Sequence, residues 1–547
     1  MYINIINNHS QLQYECFMHN QTGGSKRKWE TFQHNGVMFP PEYEPHGIPI
    51  IYKGTEIKLP ILAEEYATIY ANFIESEYVK NKTFNKNFYK DWAPLVKEFG
   101  IDSLEDCDFT KIYDYILQEK QKKTDMSKEI KEAIKLEQKK LEEPFTKAIV
   151  DGKEQPVGNF RMEKTGIFLG RGCHPKVGKI KRRIYPEDVT LNLSKNASVP
   201  KTLPGHKWSE IVHDPYVEWI AAWKDEITGK TKYVWLASHS ELKGKSDEAK
   251  FDKARKLKKK IKIIRVENTT NMSSEDEKTR QIATALYFID NLALRAGNEK
   301  SEDQADTVGV TSLRIEHIKL QENNTIMLDF LGKDSVRYKN KVKVINVVYD
   351  NVIDFMKNKT KDDMLFDKIT PNDVNKYLQS FMKDLTSKVF RTFNASYTFY
   401  KELKKVNIKF DKYDEADKIN VLLDMFNKAN AKVAILCNHQ KNVSKSFTAQ
   451  IDKLNDSIRQ AQSKMLSKKS KGSKKSIKDK IKKLKEKKKL KTELKDISLG
   501  TSLGNYIDCR IPIAFAKCHN IPIDKIYNKS LQEKFKWALD TPADWKY

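Results

Sequence analysis

Residues 274–300 read SEDEKTRQIATALYFIDNLALRAGNEK. Ser274 and Glu277 have the spacing of a capping box, in which two side chains satisfy free backbone N–H groups at the start of a helix. Apolar residues then recur at intervals of four, three and four, at Ile282, Leu286, Ile289 and Ala293. Because glycine commonly terminates helices, we expect this buried helix to end at Gly297, with the cation Arg295 close to its end.

The sequence after this helix predicts a hairpin and further helices. Between Ile326 and Tyr338, apolar residues alternate with polar ones on both sides of Gly332, as in two strands joined by a turn. Helical patterns follow over about Asn372–Phe390 and Lys418–Leu436, and again from about Leu531. This half of the chain is therefore expected to be mainly helical.

The N-terminal half has a different pattern. Residues 1–26 are polar and rich in Asn, and we expect a disordered tail there. From Trp29 to about Glu98, short apolar runs alternate with Pro and Gly, which predicts mixed α/β structure. Charges of both signs between Gln118 and Glu143 predict an exposed helix, and a strand is expected near residues 232–237.

Length and charge restrict the class of protein. A chain of 547 residues exceeds one hydrophobic core, so we expect three or four domains. The net charge of +26 indicates a polyanionic partner, either nucleic acid or an acidic membrane surface. Half of that excess lies between Lys464 and Lys491, where 15 lysines face two carboxylates. Six cysteines without a CxxC pair, and no long apolar run, predict a reducing intracellular compartment without structural zinc or a membrane span.

Residues 166–183 combine four glycines with six cations: Arg171, Lys176, Lys179, Lys181, Arg182 and Arg183. Flexible backbone beside cations suits contact with phosphate. The segment is not a nucleotide-binding P-loop, because five residues separate Gly172 from Gly178 and Ile180 stands where Ser or Thr would bind magnesium. We therefore expect no use of ATP. A basic surface loop is the alternative interpretation.

Four further positions place a cation or a histidine beside small or turn-forming residues at the end of an apolar element. They are Arg295 in LALRAGNEK, Lys333 in FLGKDS, Arg391 in KVFRTFNAS and His439 in AILCNHQ. Each alone is compatible with a structural role, because arginine at a helix end favours the helix dipole and a single histidine is often a core residue. No carboxylate cluster has the spacing of metal ligands.

These four sequence segments are more informative when they are considered together with a fifth, LGTSLGNYIDCRI, which contains Tyr506. The chain also contains PPEYEP, KNFYKDW, GRGCHPK, KRRIYPED and IYNKSLQEKF. Taken jointly, from about Trp29 to Tyr547, these motifs resemble the type IB DNA topoisomerases of the eukaryotic kind. The resemblance is to a minimal form without the long charged N-terminal region of cellular members.

That resemblance implies an α+β multidomain fold. The expected parts are a two-lobed DNA clamp with a mixed α/β cap lobe (27–240), a mainly helical catalytic core resembling tyrosine recombinases (241–445), a basic coiled-coil linker (446–495) and a C-terminal domain with the nucleophile (496–547). Apolar residues at helical spacing on both sides of Lys468–Lys475 agree with a helical-hairpin linker that turns there.

The resemblance also assigns chemistry. Tyr506 matches the nucleophile, and Arg295, Lys333, Arg391 and His439 match the catalytic cations. The two guanidiniums and His439 would stabilise charge on the phosphate oxygens, while Lys333 would protonate the leaving 5′ oxygen. A 3′-phosphotyrosine bond stores the energy of the broken bond, so religation requires no ATP and we expect neither metal nor other cofactor.

Residues expected to contact DNA are the six cations of residues 166–183 together with Lys243, Asp334 and Asn505. In the family, the residues matching Arg171, Asp334 and Asn505 contact the inhibitor camptothecin beside the cleaved step, so a camptothecin-type inhibitor is expected to bind. The chain departs from the family pattern at Leu169, Phe393 and Cys509, and none of these removes a catalytic group.

The expected partner is double-stranded DNA, bound by a monomer in the nucleus. A viral enzyme acting in the virion or host cytoplasm is the alternative. The basic linker would slow DNA rotation electrostatically, although it also fits a nuclear import signal or a solvated charge run. Two other functions stay open, a tyrosine recombinase-like strand transferase and a non-enzymatic DNA-binding protein. Lys388 disfavours the recombinase, which usually has His three residues before the second arginine.

Overall fold

The computed structural model describes residues 27–298, 304–405, 415–441, 443, 446–466 and 474–547. The predicted N-terminal tail, and most of the predicted linker turn, lie outside the described residues. The described chain forms two compact units. The first contains residues up to Ser246 and 304–306, and the second contains 247–298 and the residues from Thr307 to Tyr547. Both α-helices and β-sheets are present, as expected for an α+β protein.

The described part of the first unit contains four small sheets. Their strands are β1 (Phe32–His34), β2 (Ile50–Tyr52), β3 (Thr55–Ile57), β4 (Cys107–Asp108), β5 (Lys147–Val150), β6 (Lys153–Pro156), β7 (Gly166–Ile167), β8 (Ile180–Lys181), β9 (Val189–Asn192), β10 (Glu210–Val212), β11 (Trp219–Lys224) and β12 (Thr231–Trp235). The strand orders are β1-β5-β6, β3-β2-β4, β7-β8 and β10-β9-β11-β12. Among these strands β9 and β10 are parallel, and the other pairs are antiparallel.

Among the described residues, four α-helices lie wholly in the first unit: α1 (Ile61–Ala71), α2 (Lys82–Trp92), α3 (Thr110–Asp125) and α4 (Lys128–Glu142). On α2, Phe84, Phe88 and Trp92 recur every four residues and are fully buried. The helix predicted over 118–143 is exposed, but it is divided between α3 and α4, because the Ser127 side chain accepts a hydrogen bond from the backbone N–H of Ile130 and begins a new helix.

The second unit is mainly helical. Helix α5 (Glu241–Asn271) contains the boundary between the units and is followed by α6 (Glu277–Asn291), β13 (Ile318–Gln321), β14 (Thr325–Leu331), β15 (Arg337–Lys343), α7 (Asn346–Met356), α8 (Pro371–Phe381), α9 (Ser387–Lys404), α10 (Glu415–Leu436), α11 (Phe447–Leu466), α12 (Lys474–Glu493), α13 (Leu499–Asn505), α14 (Arg510–Cys518) and α15 (Lys529–Lys534). Strands β13, β14 and β15 form one antiparallel sheet.

The start and end predicted for α6 need correction. Asp276, not Ser274, caps the helix, and its carboxylate accepts a hydrogen bond of 2.8 Å from the backbone N–H of Thr279. The helix ends at Asn291, well before Gly297. Its predicted apolar face is confirmed, because Leu286 and Ile289 lie in the core of the second unit.

Gly297 does not end a helix but lies where two segments of backbone cross. Its backbone has a φ of +89°, and it crosses Gly309 so closely that a Cβ atom on Gly309 would lie 2.4 Å from the Cα of Gly297. On either side of this crossing, the backbone N–H of Val310 donates to Arg295 O at 2.9 Å, and that of Thr311 donates to Ala296 O at 2.8 Å. The crossing therefore fixes the backbone that carries Arg295.

The hairpin predicted on both sides of Gly332 is confirmed as β14 and β15, with Phe330 paired to Tyr338. The single helix predicted over 372–390 is wrong. It is divided into α8 and α9, because Asp384 has a positive φ of 60° and interrupts the helical path. The Asn375 side chain then accepts a hydrogen bond from the backbone N–H of Ser387, at the start of α9.

Helices α11 and α12 pack against each other, and Ile458, Ala461 and Ile481 on these helices are buried. This pair corresponds to the helical hairpin predicted from the apolar spacing. Within the described ranges, no helix is both long and apolar enough to cross a membrane.

Candidate active site

Tyr506 lies directly after the last residue of α13, in the second unit. Its backbone is held on both sides. The buried Ser396 hydroxyl on α9 donates to Tyr506 O at 3.2 Å and accepts from the backbone N–H of Asp508 at 2.9 Å. Asp508 is fully buried and forms a two-pronged ion pair with Arg510 at 2.8–2.9 Å. The backbone around the phenol is therefore well fixed.

Three of the predicted catalytic side chains surround the phenol of Tyr506. Nη2 of Arg295 lies 3.4 Å from the phenol oxygen. The guanidinium carbon of Arg391 lies 5.1 Å from the centre of the phenol ring, and the centre of the His439 ring lies 4.9 Å from it. Residues separated by up to 211 positions are thus brought together around one hydroxyl.

Arg391 is buried, and its guanidinium is oriented by two backbone carbonyls. Its Nη1 donates to Ala293 O, just beyond α6, and its Nη2 donates to Cys437 O, just beyond α10. Its Nε has no hydrogen-bond partner in the described part of the chain. The Nε atom is enclosed by protein, whereas the residue as a whole lines the cleft that contains Arg295 and His439.

His439 is held by both its backbone and its ring. Its backbone N–H donates to Ala434 O, its carbonyl accepts from the backbone N–H of Ser498, and its Nδ1 lies 2.8 Å from the Ser502 hydroxyl oxygen. Ser502 precedes Tyr506 by four residues, one helical turn along α13. The histidine and the tyrosine are therefore positioned by the same short helix.

The two arginines change the titration of their neighbours. Burial raises the pKa of Tyr506, but the positive charges of Arg391 and Arg295 outweigh it and hold the pKa below its ordinary value of 10. Burial and the same two cations lower the pKa of His439 to about 3. At neutral pH the imidazole is thus neutral, and the phenol ionises more easily than in water.

Lys333 lies at the tip of the β14–β15 hairpin and is exposed. The start of β15, next to the hairpin turn, is bound to the segment that carries His439, because the side-chain amides of Asn438 and Gln440 donate to Arg337 O at 3.2 and 3.1 Å. Lys333 lines the same cleft as Arg295, Arg391 and His439. The hairpin therefore brings the fourth predicted catalytic group to this cleft, and His439, predicted as a cation, is the one of the four that is neutral.

The other predicted DNA contacts of the second unit also lie near this cleft. Asp334 follows Lys333 in a left-handed conformation with a φ of 67°, and it is exposed. Asn505 directly precedes Tyr506 and is exposed, and its Nδ2 donates to Thr501 O at 3.3 Å. Both side chains are accessible to a ligand.

In the first unit, several predicted DNA contacts have protein partners. Lys179 pairs with Asp91 at 3.3 Å, Lys181 with Glu163 at 3.6 Å, and Arg182 with both Asp188 and Glu226 at 2.7 Å. Arg183 donates to the carbonyl of Pro40 at 3.0 Å. Lys176 donates to Ile227 O at 2.7 Å, and Lys243 pairs with Glu218 at 2.9 Å. Arg171 is exposed on the β7–β8 loop.

The sequence did not identify Ser396, Ser502 or Gly309 as parts of this site. Ser502 was detectable in principle, because a residue four positions before a helix-end tyrosine shares its face. Ser396 and Gly309 carry no such signal, since each contacts the site from a separate segment of the chain. In the described residues, no three His, Cys, Asp or Glu side chains are grouped so that they would hold a metal ion.

Comparison with known proteins places this arrangement in a family. Three family models match the chain: the DNA-binding fragment of eukaryotic DNA topoisomerase I over 27–236, its catalytic core over 239–472, and a C-terminal topoisomerase domain over 478–547. Together the three models cover residues 27–547 almost without a gap.

Full-length relatives agree with these models. DNA topoisomerase 1 beta of Arabidopsis thaliana is 42% identical over 96% of this chain, DNA topoisomerase 1 of Candidozyma auris is 38% identical over 98%, and DNA topoisomerase 1 of Homo sapiens is 42% identical over 94%. The chain spans 60% of the Arabidopsis relative, 85% of the Candidozyma relative and 71% of the human relative. With matches along almost its whole length, the chain belongs to the eukaryotic DNA topoisomerase I family.

Proposed function

We propose that this protein relaxes positive and negative DNA supercoils as a type IB topoisomerase. In this reaction one strand is cut, a 3′-phosphotyrosyl intermediate forms, the free end rotates, and the strand is resealed without ATP or metal. The observation that carries the proposal is the 3.4 Å separation between Arg295 Nη2 and the Tyr506 hydroxyl, with Arg391 and His439 beside the same ring.

Tyr506 is the proposed nucleophile. Its oxygen forms a bond to phosphorus while the bond from phosphorus to the 5′ oxygen breaks, and the phenol proton passes to solvent. The lowered pKa of Tyr506 favours this attack, because the two cations stabilise the developing phenolate. Reversal regenerates the phenol and the intact strand, so the phosphotyrosine conserves the bond energy.

The phosphate is proposed to bind between Arg295, Arg391 and His439. Charge accumulates on the non-bridging oxygens during attack, and a fixed guanidinium stabilises that charge without reorganising. Arg391 suits this role because two carbonyls fix its guanidinium and the residue lines the cleft. Lys333 is the proposed acid that gives its proton to the leaving 5′ oxygen.

The predicted architecture is part of the proposal. The cap lobe (27–240) and the catalytic core (241–445) would clamp double-stranded DNA, and the core would share the tyrosine recombinase arrangement. Lys179, Lys181 and Arg182 each have a carboxylate partner. To contact them, DNA phosphates would either replace these carboxylates or approach each cation from the side that its carboxylate does not cover. Arg171, Lys243, Asp334 and Asn505 complete the proposed DNA contacts.

We extend the proposal to the biological setting. The protein would act as a monomer in the nucleus. The residue types at Arg171, Asp334 and Asn505 also favour binding of a camptothecin-type inhibitor at the cleaved step. The α11–α12 pair would slow rotation of the cut DNA through its positive charge.

The deciding experiment is relaxation of supercoiled plasmid in EDTA without ATP. The native chain should relax the plasmid, and Tyr506→Phe should reduce the rate more than about a thousandfold, because it removes the nucleophile. Tyr349→Phe is the matched control, since that hydroxyl donates to Gln321 O on the surface of the core and should be dispensable. An inactive native chain, or an unimpaired Tyr506→Phe, contradicts the proposal.

Two additions to this assay test its details. Denaturing the protein during the reaction should leave it attached to the 3′ end of a nick, and attachment to the 5′ end would contradict the proposed polarity. Adding camptothecin should increase nicked plasmid for the native chain.

A further inference from the structure

The two ring nitrogens of His439 have different neighbours. Nδ1 lies 2.8 Å from the hydroxyl oxygen of Ser502, whereas Nε2 lies 3.4 Å from Nη2 of Arg391. The histidine side chain is buried, and Ser502 has no exposed surface. The ring is therefore confined between one hydroxyl and one guanidinium.

Only one of the two nitrogens carries hydrogen at neutral pH. Burial and the nearby cations of Arg391 and Arg295 lower the pKa of His439 to about 3, so the imidazole is neutral. A neutral imidazole has one donor and one acceptor nitrogen, and the neighbours decide which is which. Only a hydrogen on Nε2 would let that nitrogen donate to a phosphate.

The distances favour hydrogen on Nε2. A guanidinium always donates, and hydrogen bonds from a charged donor are shorter than those from a neutral one. At 3.4 Å the contact between Nη2 of Arg391 and Nε2 is the longer of the two contacts of the ring, so the short contact at Nδ1 has the greater influence on which nitrogen carries the hydrogen. At 2.8 Å, by contrast, Nδ1 and the Ser502 hydroxyl are well placed for a bond in which the serine donates.

Ser502 has little freedom to do otherwise. Its backbone carbonyl accepts from the N–H groups of Tyr506 and Ile507, both at 3.0 Å, which fixes the residue within the turn that precedes the nucleophile. Across the described ranges, its hydroxyl has no hydrogen-bond partner besides His439. A buried hydroxyl seldom leaves its hydrogen unused, so Nδ1 is its acceptor.

We propose that Ser502 is a positioning residue, whose O–H donates to Nδ1 of His439 and thereby fixes the tautomer that presents an Nε2–H to the scissile phosphate. This inference rests on the proposed function for the identity of the ligand. Helix α13 would then position two catalytic groups, because it orients His439 through Ser502 and ends directly before Tyr506.

The kinetic test measures single-turnover cleavage of a short DNA whose cut end is lost, so that religation is prevented. Ser502→Ala should slow cleavage about tenfold with unchanged DNA affinity, which is less than the roughly hundredfold or greater loss for removing a transition-state donor outright. Ser502→Thr keeps the hydroxyl and should recover most of the rate. In a His439→Ala background, Ser502→Ala should cause no further loss. A full additional loss there would overturn the inference.

A second measurement does not depend on cleavage. Nitrogen-15 spectra of protein labelled only at histidine distinguish the two tautomers, and the His439 signals are identified by their loss in His439→Ala. We expect hydrogen on Nε2 in the native protein and a mixture in Ser502→Ala. Hydrogen on Nδ1 in the native protein would overturn the inference. If the native chain did not cleave DNA, the proposed function would fail, and these spectra would still decide the role of Ser502.

Discussion

At the residue scale, the chemistry depends on how one phenol is balanced between burial and charge. Burial alone would raise the pKa of Tyr506 and suppress the phenolate, but Arg391 and Arg295 reverse that effect. Arg391 is buried and tied to two carbonyls, whereas Arg295 is exposed and makes its contact directly with the hydroxyl. Arg295 is therefore the cation that can be removed with least damage to the fold.

Replacing Arg295 with Gln should change the pH dependence of cleavage. Because Arg295 lowers the pKa of Tyr506, its loss raises that pKa, and the rise of the single-turnover cleavage rate with pH should move to higher pH. The maximal rate should also fall, by about a hundredfold, because the phosphate loses a donor. The measurement is the cleavage rate between about pH 6 and 10.

Arg459→Gln is the control for this variant, since Arg459 is a highly exposed arginine paired with Asp456 on α11. Its pH profile should match that of the native chain. If Arg295→Gln lowers the rate equally at every pH, Arg295 acts on the phosphate alone and has no influence on the phenol.

At the element scale, the sequence predicted what local patterns determine. The β14–β15 hairpin and the apolar face of α6 follow from periodicity, and both are present. The break between α8 and α9 was missed, because it depends on Asp384 in a left-handed conformation, which aspartate tolerates but does not signal. Gly297 was misread as a helix end, because its contact with Gly309 joins segments that no local pattern connects.

The crossing of Gly297 and Gly309 yields a test of how Arg295 is held. Gly309→Ala would place a Cβ atom 2.4 Å from the Cα of Gly297 and 2.6 Å from Ala296 O, so the backbone must shift. Gly309 itself has an extended φ of −126°, so the cost is steric and not conformational. We expect a loss of about 1–3 kcal/mol in stability and a cleavage rate at least about tenfold lower.

Gly500→Ala is the matched control, since this glycine lies in α13 and an added Cβ would meet nothing within 4 Å. Alanine is the better helix former, so the variant should be as stable as the native chain or slightly more stable. Thermal unfolding and single-turnover cleavage measure both effects. A Gly309→Ala variant with native stability and rate would show that the crossing does not position Arg295.

At the scale of the whole molecule, net charge indicates a partner, whereas placement decides what the charge can do. Lys179, Lys181 and Arg182 belong to the basic loop that the sequence highlighted, yet each has a carboxylate neighbour. The lysines of α12 are mostly exposed, with only Asp479 and Glu486 opposing them between Lys464 and Lys491. The net charge can be counted from the sequence. Which cations are paired with carboxylates and which are accessible to a partner can be seen only in the fold.

The accessible charge of α12 can be reduced without disturbing its packing. Lys478, Lys482, Lys485 and Lys489 recur along one side of the helix and are exposed, whereas Ile481 packs toward α11. Replacing all four by Gln should leave cleavage unchanged. The plot of log DNA affinity against log salt should become less steep by about 0.9 for each lysine that contacts a phosphate. More supercoils should be removed per cleavage event, because less drag opposes rotation.

The control replaces Lys128, Lys131, Lys135 and Lys139, which are exposed on α4 among glutamates. An equal change of slope in the control would mean that net charge matters and the position of α12 does not, whereas lost cleavage in the α12 variant would contradict a role confined to rotation.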